Sequence, residues 1–571
     1  MTFGNLFSSL SFRPYLLWSD ILIFVLLAVL LAFVVSILRD PLARMRWRQV
    51  FISKIGASSF IVILFFLSIA VLDSLHFQEK LERFVIPVSS PAVVNSDVNT
   101  DANDVASAGS NNADNTPEQD AEQAITKDGE EAPTASSETS PIVSGEVTND
   151  HYAPKIRSVL DLVLSSMQGK HEKTYSAPFA IYSFAKENQQ QADGTVLREF
   201  PRLKYSGAHL QYEEDHFSDV IVRSISIMGW TLIPCLLLIW FHYRVIRNPK
   251  SLLPWPVIYT TLTVLAVISA WALIMSEYYH VLGTDKVGQS VLYQSVKAVR
   301  TGVLIGTLAT LITLPLAIIL GISAGYFKGW VDDVVQYIYT TLNSIPGILL
   351  VAASVLLIDV YIETHPEKFS LISERADFKF LALCFILGMT SWTGLCRLLR
   401  AETLKLSQLE YVEAARAFGV SGQRIIWRHI LPNTAHIILI TLVLDFSGFV
   451  LAEAVLSYIG VGVDPSMASW GNMINEARAE LAREPVVWWS VSAAFVLMFS
   501  LVLAANLFSD RVRDAFDPRM GGSGNDEPDS SEPDSISPSS LVSKNNSSPE
   551  ENTHTSVNPL INTPNNKGAN K

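Results

Sequence analysis

Charge is what this sequence has least of. Only 17% of its 571 residues are Asp, Glu, Lys or Arg, where a soluble protein of this length carries about 25%. The shortfall is local. It comes from apolar runs of roughly 18 to 25 residues, each long enough to cross about 30 Å of hydrocarbon. Cysteine is scarce too. Cys235, Cys384 and Cys396 all lie in or beside apolar runs. Three scattered cysteines make neither a disulfide framework nor a zinc site, and they suit small buried apolar positions. No basic patch interleaved with aromatics occurs, which excludes a nucleic-acid partner. The class is a polytopic membrane protein whose first partner is the lipid bilayer. The net charge of −13 describes no single surface, because much of the acid sits in two polar tracts, 95–150 and 523–535.

The first apolar run, at 16–38, is too long for a signal-peptide core, which needs only about 7–15 apolar residues. No small-residue cleavage site follows it. Instead comes a basic stretch with Arg39, Arg44, Arg46, Arg48 and Lys54, so the run reads as an uncleaved span with a cytoplasmic loop behind it. A second span is expected at 56–73. Residues 74–222 form a large hydrophilic insert. Its part at 90–150 is rich in Asn, Asp, Ser and Ala and cannot bury enough apolar surface to order itself. The later part, 151–217, has aromatics and prolines and is expected to fold as a small module. Further spans are expected at 223–241, 255–276, 299–325, 334–358, 379–396, 434–458 and 486–508. The total is about nine. The tail at 521–571 is Ser, Pro, Asn and acid and reads as disordered and cytoplasmic.

Orientation follows from the positive-inside rule. The loops 39–54, 242–253 and 397–428 carry Arg and Lys clusters. All fall on one side if the span count is right. The N-terminus and the insert are then outside and the C-terminus is cytoplasmic.

The most informative segment is YVEAARAFGVSGQRIIWRHILPN, residues 411–433. Its residues predict helix, glycine turn, helix. Glu413 to Phe418 are helix formers, Gly419 can take the positive φ of a C-terminal cap, and Ser421 is placed to cap a second helix. Val412, Ala415, Phe418, Ile425, Ile426, Ile430 and Leu431 offer apolar surface. Physics alone also allows a helix lying on lipid headgroups.

This segment resembles the EAA loop of binding-protein-dependent permeases, with Glu413, Ala414, Ala415, Gly419, Leu431 and Pro432 on the motif positions. Its HILPN ending is similar to the oligopeptide and dipeptide subgroup. LGTDKVGQSV at 282–291, GYFKGWVDD at 325–333, LAEAVLSYIGVGVDPSMASWGNMINEAR at 451–478 and RDAFDPR at 513–519 resemble further segments of that subgroup. Gln289 and Ser290 stand where the family has Arg and Asp. The resemblance covers 255–520.

It implies an all-α helix bundle with a six-span importer core at 255–520. Two spans are added at 1–73, and a third, with its basic loop, at 223–254. The three added spans depart from the family plan. The resemblance further implies a permease subunit of an ATP-driven importer in the bacterial inner membrane, carrying peptides or related small solutes. It is not itself an enzyme. The implied partners are ABC ATPase subunits, a second homologous permease and a periplasmic solute-binding protein. ATP is used by the partners, and no cofactor or metal is bound directly. In the family the EAA loop forms the helix that couples to the ATPase. The alternatives are a stand-alone channel or secondary transporter, and a membrane-anchored receptor or assembly protein acting through its insert.

Some residues carry chemistry of their own. Gly283 to Ser290 nearly fits a phosphate-binding loop, but Gln289 replaces the essential lysine. Asp445 sits mid-span, where a carboxylate costs about 2.5–3.5 kcal/mol on insertion scales. It either lines the translocation path or meets a structural partner. Glu453 belongs to the family-like LAEA string and reads as structural. Pro315 and Pro346 fall within expected spans and are candidate kinks. Trp488 and Trp489 read as an interfacial anchor, and His280 as a surface histidine.

Overall fold

The computed structural model describes residues 12–79, 156–190, 196–246, 252–369 and 371–516. The expected disorder at 90–150 and in the tail 521–571 lies outside them. In chain order the elements begin with β1 (Phe12–Pro14), α1 (Trp18–Arg39), α2 (Pro41–Ile52), α3 (Lys54–Asp73) and β2 (His76–Glu79). The insert contributes β3 (Arg157–Ser158), α4 (Val159–Val163), α5 (Ser165–Gln168), β4 (Glu187–Gln190) and β5 (Val196–Glu199). Then come α6 (His216–Phe241), α7 (Trp255–Met275), α8 (Val291–Phe327), α9 (Trp330–Asn343), α10 (Gly347–Thr364), α11 (Ile372–Ser391) and α12 (Thr393–Leu406). The chain ends in α13 (Glu410–Ala417), α14 (Gly422–Ile425), α15 (Leu431–Ile459), α16 (Trp470–Arg478) and α17 (Trp489–Phe516). Among the described residues, 9 helical stretches are long and apolar enough to cross a membrane. The fold is the all-α polytopic bundle that the apolar runs imply.

The bundle is built around α8. Half of its apolar window is buried, against 6% for α1, α6 and α7. At 37 residues it is about 55 Å long. Small residues let other helices come close, which is how helices pack where lipid supplies no hydrophobic drive. A Cβ on Gly321 would stand 2.7 Å from the Cys396 carbonyl of α12, and one on Gly325 2.7 Å from the Thr403 Cβ. Gly302 admits Trp470 and Gly306 admits Phe446 in the same way. Cys384 and Cys396 are buried and unpaired. Pro315 leaves α8 continuous.

One expected span is corrected. Residues 334–358 are not a single helix. The amphipathic α9 ends at Asn343 and α10 begins at Gly347, with Pro346 at its N-cap in an extended-like conformation. Proline blocks helix in the residue before it, so the chain breaks at Ser344–Pro346 rather than kinking.

The later part of the insert is tied to the core: residues 172–179 lie along the 280–290 loop, and 204–205 bond to Glu172 behind them. Thr284 Oγ1 accepts from the Ser176 amide at 2.7 Å and donates to the Thr174 carbonyl at 3.0 Å. Gly283 and Gly288 have φ of +71° and +75°, and a Cβ on either would overlap the Ser176 or Glu172 carbonyl. Glu172 accepts from the Lys204 and Tyr205 amides at 3.1 and 2.8 Å. Burial raises its pKa, but the neighbouring His280 and the hydrogen bonds from these amides outweigh that and hold it below the usual range. His280 is therefore buried beside Glu172, not on the surface. Trp489 is also buried and donates to the Thr284 carbonyl at 2.9 Å, whereas Trp488 is exposed. Of the expected interfacial pair only Trp488 is exposed.

If α8 and α12 depend on glycine contact, Gly325→Leu should force them apart. The yield of folded protein extracted from membranes should fall several-fold, while Gly394→Ala, where a Cβ meets nothing within 4 Å, should extract normally. Equal yields would remove the close contact from the packing.

Candidate functional site

The 411–433 segment forms a compact unit at the Tyr326 end of α8. Val412, Ile425 and Ile430 are each 0% exposed and join Tyr326, Leu395 and Leu399 in one apolar cluster. The apolar residues of the segment therefore turn mainly into the protein. The Arg416 guanidinium lies 5.2 Å from the Tyr326 ring centre, within cation–π range. Arg400 of α12 grips Asp332 of α9 through two hydrogen bonds, one of them 2.7 Å from Nη2 to Oδ2. That grip holds the Asp332 carboxyl below its ordinary range, against burial.

Gly419 has φ +75°. Its amide donates to the Arg416 carbonyl at 3.0 Å, and the Val420 amide donates to Ala415 at 3.1 Å. This is the paired bonding of a Schellman cap, and it ends α13. Ser421 occupies the next N-cap, but its side chain makes no capping bond. The expected second short helix is only the start of the following span. α14 passes through a π turn at Ile426–Ile430 into α15. Pro432, second in α15, cannot donate to the carbonyl four residues back, and the wider turn falls just before it. Asn433 ties the two ends together, donating to Tyr411 Oη at 3.0 Å and to the His429 carbonyl at 2.8 Å.

Of the motif residues, Glu413, Ala414, Gly419 and Pro432 are exposed, whereas Ala415 and Leu431 are half-buried in the cluster. Ala414 and Ala415 therefore do not share an outward face. The outward face is Glu413, Ala414, Ala417 and Phe418, the last 87% exposed.

Asp445 lies elsewhere, on α15. It borders a cavity of about 350 Å³ with Gly347, Ile348, Thr390, Ser391 and Gly448. Among the described residues no hydrogen-bond or ion-pair partner meets its carboxylate. Glu453, two turns on, is buried and accepts from Ser457 Oγ at 2.8 Å, as a structural role requires. Thr340, Thr341, Asn343 and Ser344, at the helix break before Gly347, are exposed. Sequence reasoning missed this polar break, although Asn343 and Ser344 ahead of Pro346 signalled it.

Residues 317–522 match the family described as the binding-protein-dependent transport system inner membrane component. The chain is 33% identical over 241 residues to the glutathione transport system permease protein GsiD of Pectobacterium atrosepticum, covering 42% of this chain and 73% of that one. It is 34% identical over 239 residues to the oligopeptide transport system permease protein OppC of Mycobacterium tuberculosis, covering 42% and 76%. With the dipeptide transport system permease protein DppC of Lactococcus lactis subsp. cremoris it shares 31% over 240 residues, covering 42% and 64%. The solved inward-facing MetNI methionine ABC transporter aligns over 39% of this chain and 96% of that one at 15% identity. Its TM-score of 0.30 is too low to bear on the fold.

A Cβ at Gly419 would meet nothing within 4 Å, so its substitution strains only the backbone, by about 1–2 kcal/mol. Gly419→Val should speed amide exchange across 413–425 by about tenfold and leave exchange in α8 and α15 unchanged. Unchanged exchange in the loop would show that the cap does not hold it.

Proposed function

This chain belongs to the family of binding-protein-dependent transport system inner membrane components, and from that membership we infer how it works. It is a multi-pass inner-membrane permease component of an ABC importer, a transmembrane subunit rather than an enzyme. The substrate is a peptide or a related small solute, as the relatives named for glutathione, oligopeptide and dipeptide transport suggest. ATP is hydrolysed by separate ABC subunits, and a soluble binding protein delivers the substrate on the other side.

The observation that carries this reading is the polar face formed by Asp445, Thr390, Ser391 and the helix break at Ser344–Pro346. Hydrocarbon cannot satisfy a carboxylate or the backbone groups freed at a break. Such a face needs water or protein over it. A second permease, packed so that the two faces enclose a wet path, meets that need, and Asp445 then lines the route. Glu413, Ala414, Ala417 and Phe418 form the surface offered to the ATPase. Gly419, Leu431 and Pro432 set the angle of that surface, and Tyr326 relays its movement to α8. The core at 255–520 does this work, with the insert outside the cell membrane and the 411–433 loop in the cytoplasm. No observation favours a stand-alone channel or a receptor acting through the insert.

In proteoliposomes holding the complete transporter, Asp445→Asn should lower uptake at least about fivefold with normal assembly. Glu413→Lys should abolish ATP-driven uptake at a normal membrane level. Wild-type uptake in both variants would remove these residues from the mechanism. For orientation, single cysteines in a cysteine-free background are the test. An impermeant thiol reagent on intact cells should label Gln189→Cys and not Glu410→Cys, and the reverse pattern would invert the topology.

A further inference from the structure

Two cations sit near the insert end of α8 with little access to water. The side chain of Arg300 is 8% exposed and that of Lys297 20%. They are three residues apart and share a helix face. A desolvated cation needs a close counter-charge. The counter-charges here come from outside the family-like core.

Arg300 Nη2 donates to Asp20 Oδ1 of α1 at 2.7 Å and to Ser19 Oγ at 2.8 Å, and its Nε donates to Ser74 Oγ at 3.2 Å. Lys297 Nζ lies 2.8 Å from Asp161 of α4 and 3.4 Å from Asp73 at the end of α3. The carboxylates are themselves fixed. Asp20 also contacts His76 Nδ1 at 2.8 Å, Ser158 Oγ donates to Asp73 at 2.6 Å, and Tyr293 Oη donates to Asp161 at 2.8 Å. On the other side, the Ser19 amide donates to Asp377 Oδ2 of α11 at 3.2 Å.

The segments that supply these carboxylates are tied to one another before they reach α8. β1, just ahead of α1, pairs antiparallel with β2, which follows α3. β2 pairs in turn with β3, which leads into α4. A three-stranded sheet thus gathers α1, α3 and the first helix of the insert at one end of the bundle.

We propose that these added segments form a charge-matched clamp on α8, with Lys297 and Arg300 as its positioning residues. The clamp fixes the insert end of α8 while the 411–433 loop acts at the Tyr326 end, so the first two added spans belong to the transport unit. The consequence for transport rests on the importer reading above; the clamp itself does not.

The test uses the full transporter in proteoliposomes with two readouts: amide exchange in residues 291–302, and ATP-driven uptake. Arg300→Met and Asp20→Leu alone each strand a buried charge and should lower the membrane level of the chain. The double variant Asp20→Leu/Arg300→Met removes both members of the pair, leaving only Asp377 and His76 short of a partner, and should recover most of that level. It should still lose protection at 291–302 by about tenfold, and maximal uptake should fall at least about fivefold at an unchanged half-saturating concentration. Protection within about twofold of wild type would overturn the clamp. Lost protection with full uptake would overturn the positioning role and leave only a structural joint. Should the double variant not accumulate, Arg300→Lys gives the same reading, because a lysine cannot reach Asp20, Ser19 and Ser74 together. If the wild-type transporter shows no ATP-driven uptake, the importer reading falls, and the exchange readout still decides on the clamp.

Discussion

Hydrocarbon makes no hydrogen bonds, and the arrangement of this bundle follows from that. Apolar helices can face lipid at no cost, so α6 shows most of its surface outward. Charged or broken stretches have to be covered from within the protein or by another chain. α8 satisfies the rule internally. It carries Arg300 and Lys297, and it sits where other helices reach it on most sides. The carboxylate of Asp445 finds no hydrogen-bond or ion-pair partner among the described residues, and the exposed Asn343 and Ser344 mark the helix break near it.

The same helix links the two ends of the molecule. Its glycines set its distance from α12, its cations set its relation to α1, α3 and the insert, and Tyr326 seats the loop that follows α12. The loop at the Tyr326 end is itself closed by local bonding. A Schellman cap closes α13, and α14 runs on into α15.

How much of this was legible in the sequence depended on range. The spans were legible because length and apolarity are local, and so was the cap at Gly419. The break before α10 was lost because the apolar runs on either side of TTLNSIPG average into one apolar window. The inward turn of Ala415 was not legible, since it depends on Tyr326, far back in the chain. Trp489 looked like an interfacial anchor because its acceptor, the Thr284 carbonyl, lies 205 residues away. The clamp left only a faint mark: Asp20, Lys297 and Arg300 standing in or beside apolar runs.

That sequence distance also bears on how the molecule is made. Asp20 and Arg300 are 280 residues apart, which at about 5–20 residues per second is roughly 15–55 s of synthesis. Through that interval the first span carries a carboxylate whose guanidinium partner does not yet exist. Its insertion has to succeed on apolarity alone, and α1 is the most apolar of the 9 candidate spans. The apolarity with which α1 faces outward in the finished protein is therefore also the means by which an early segment waits for a late one.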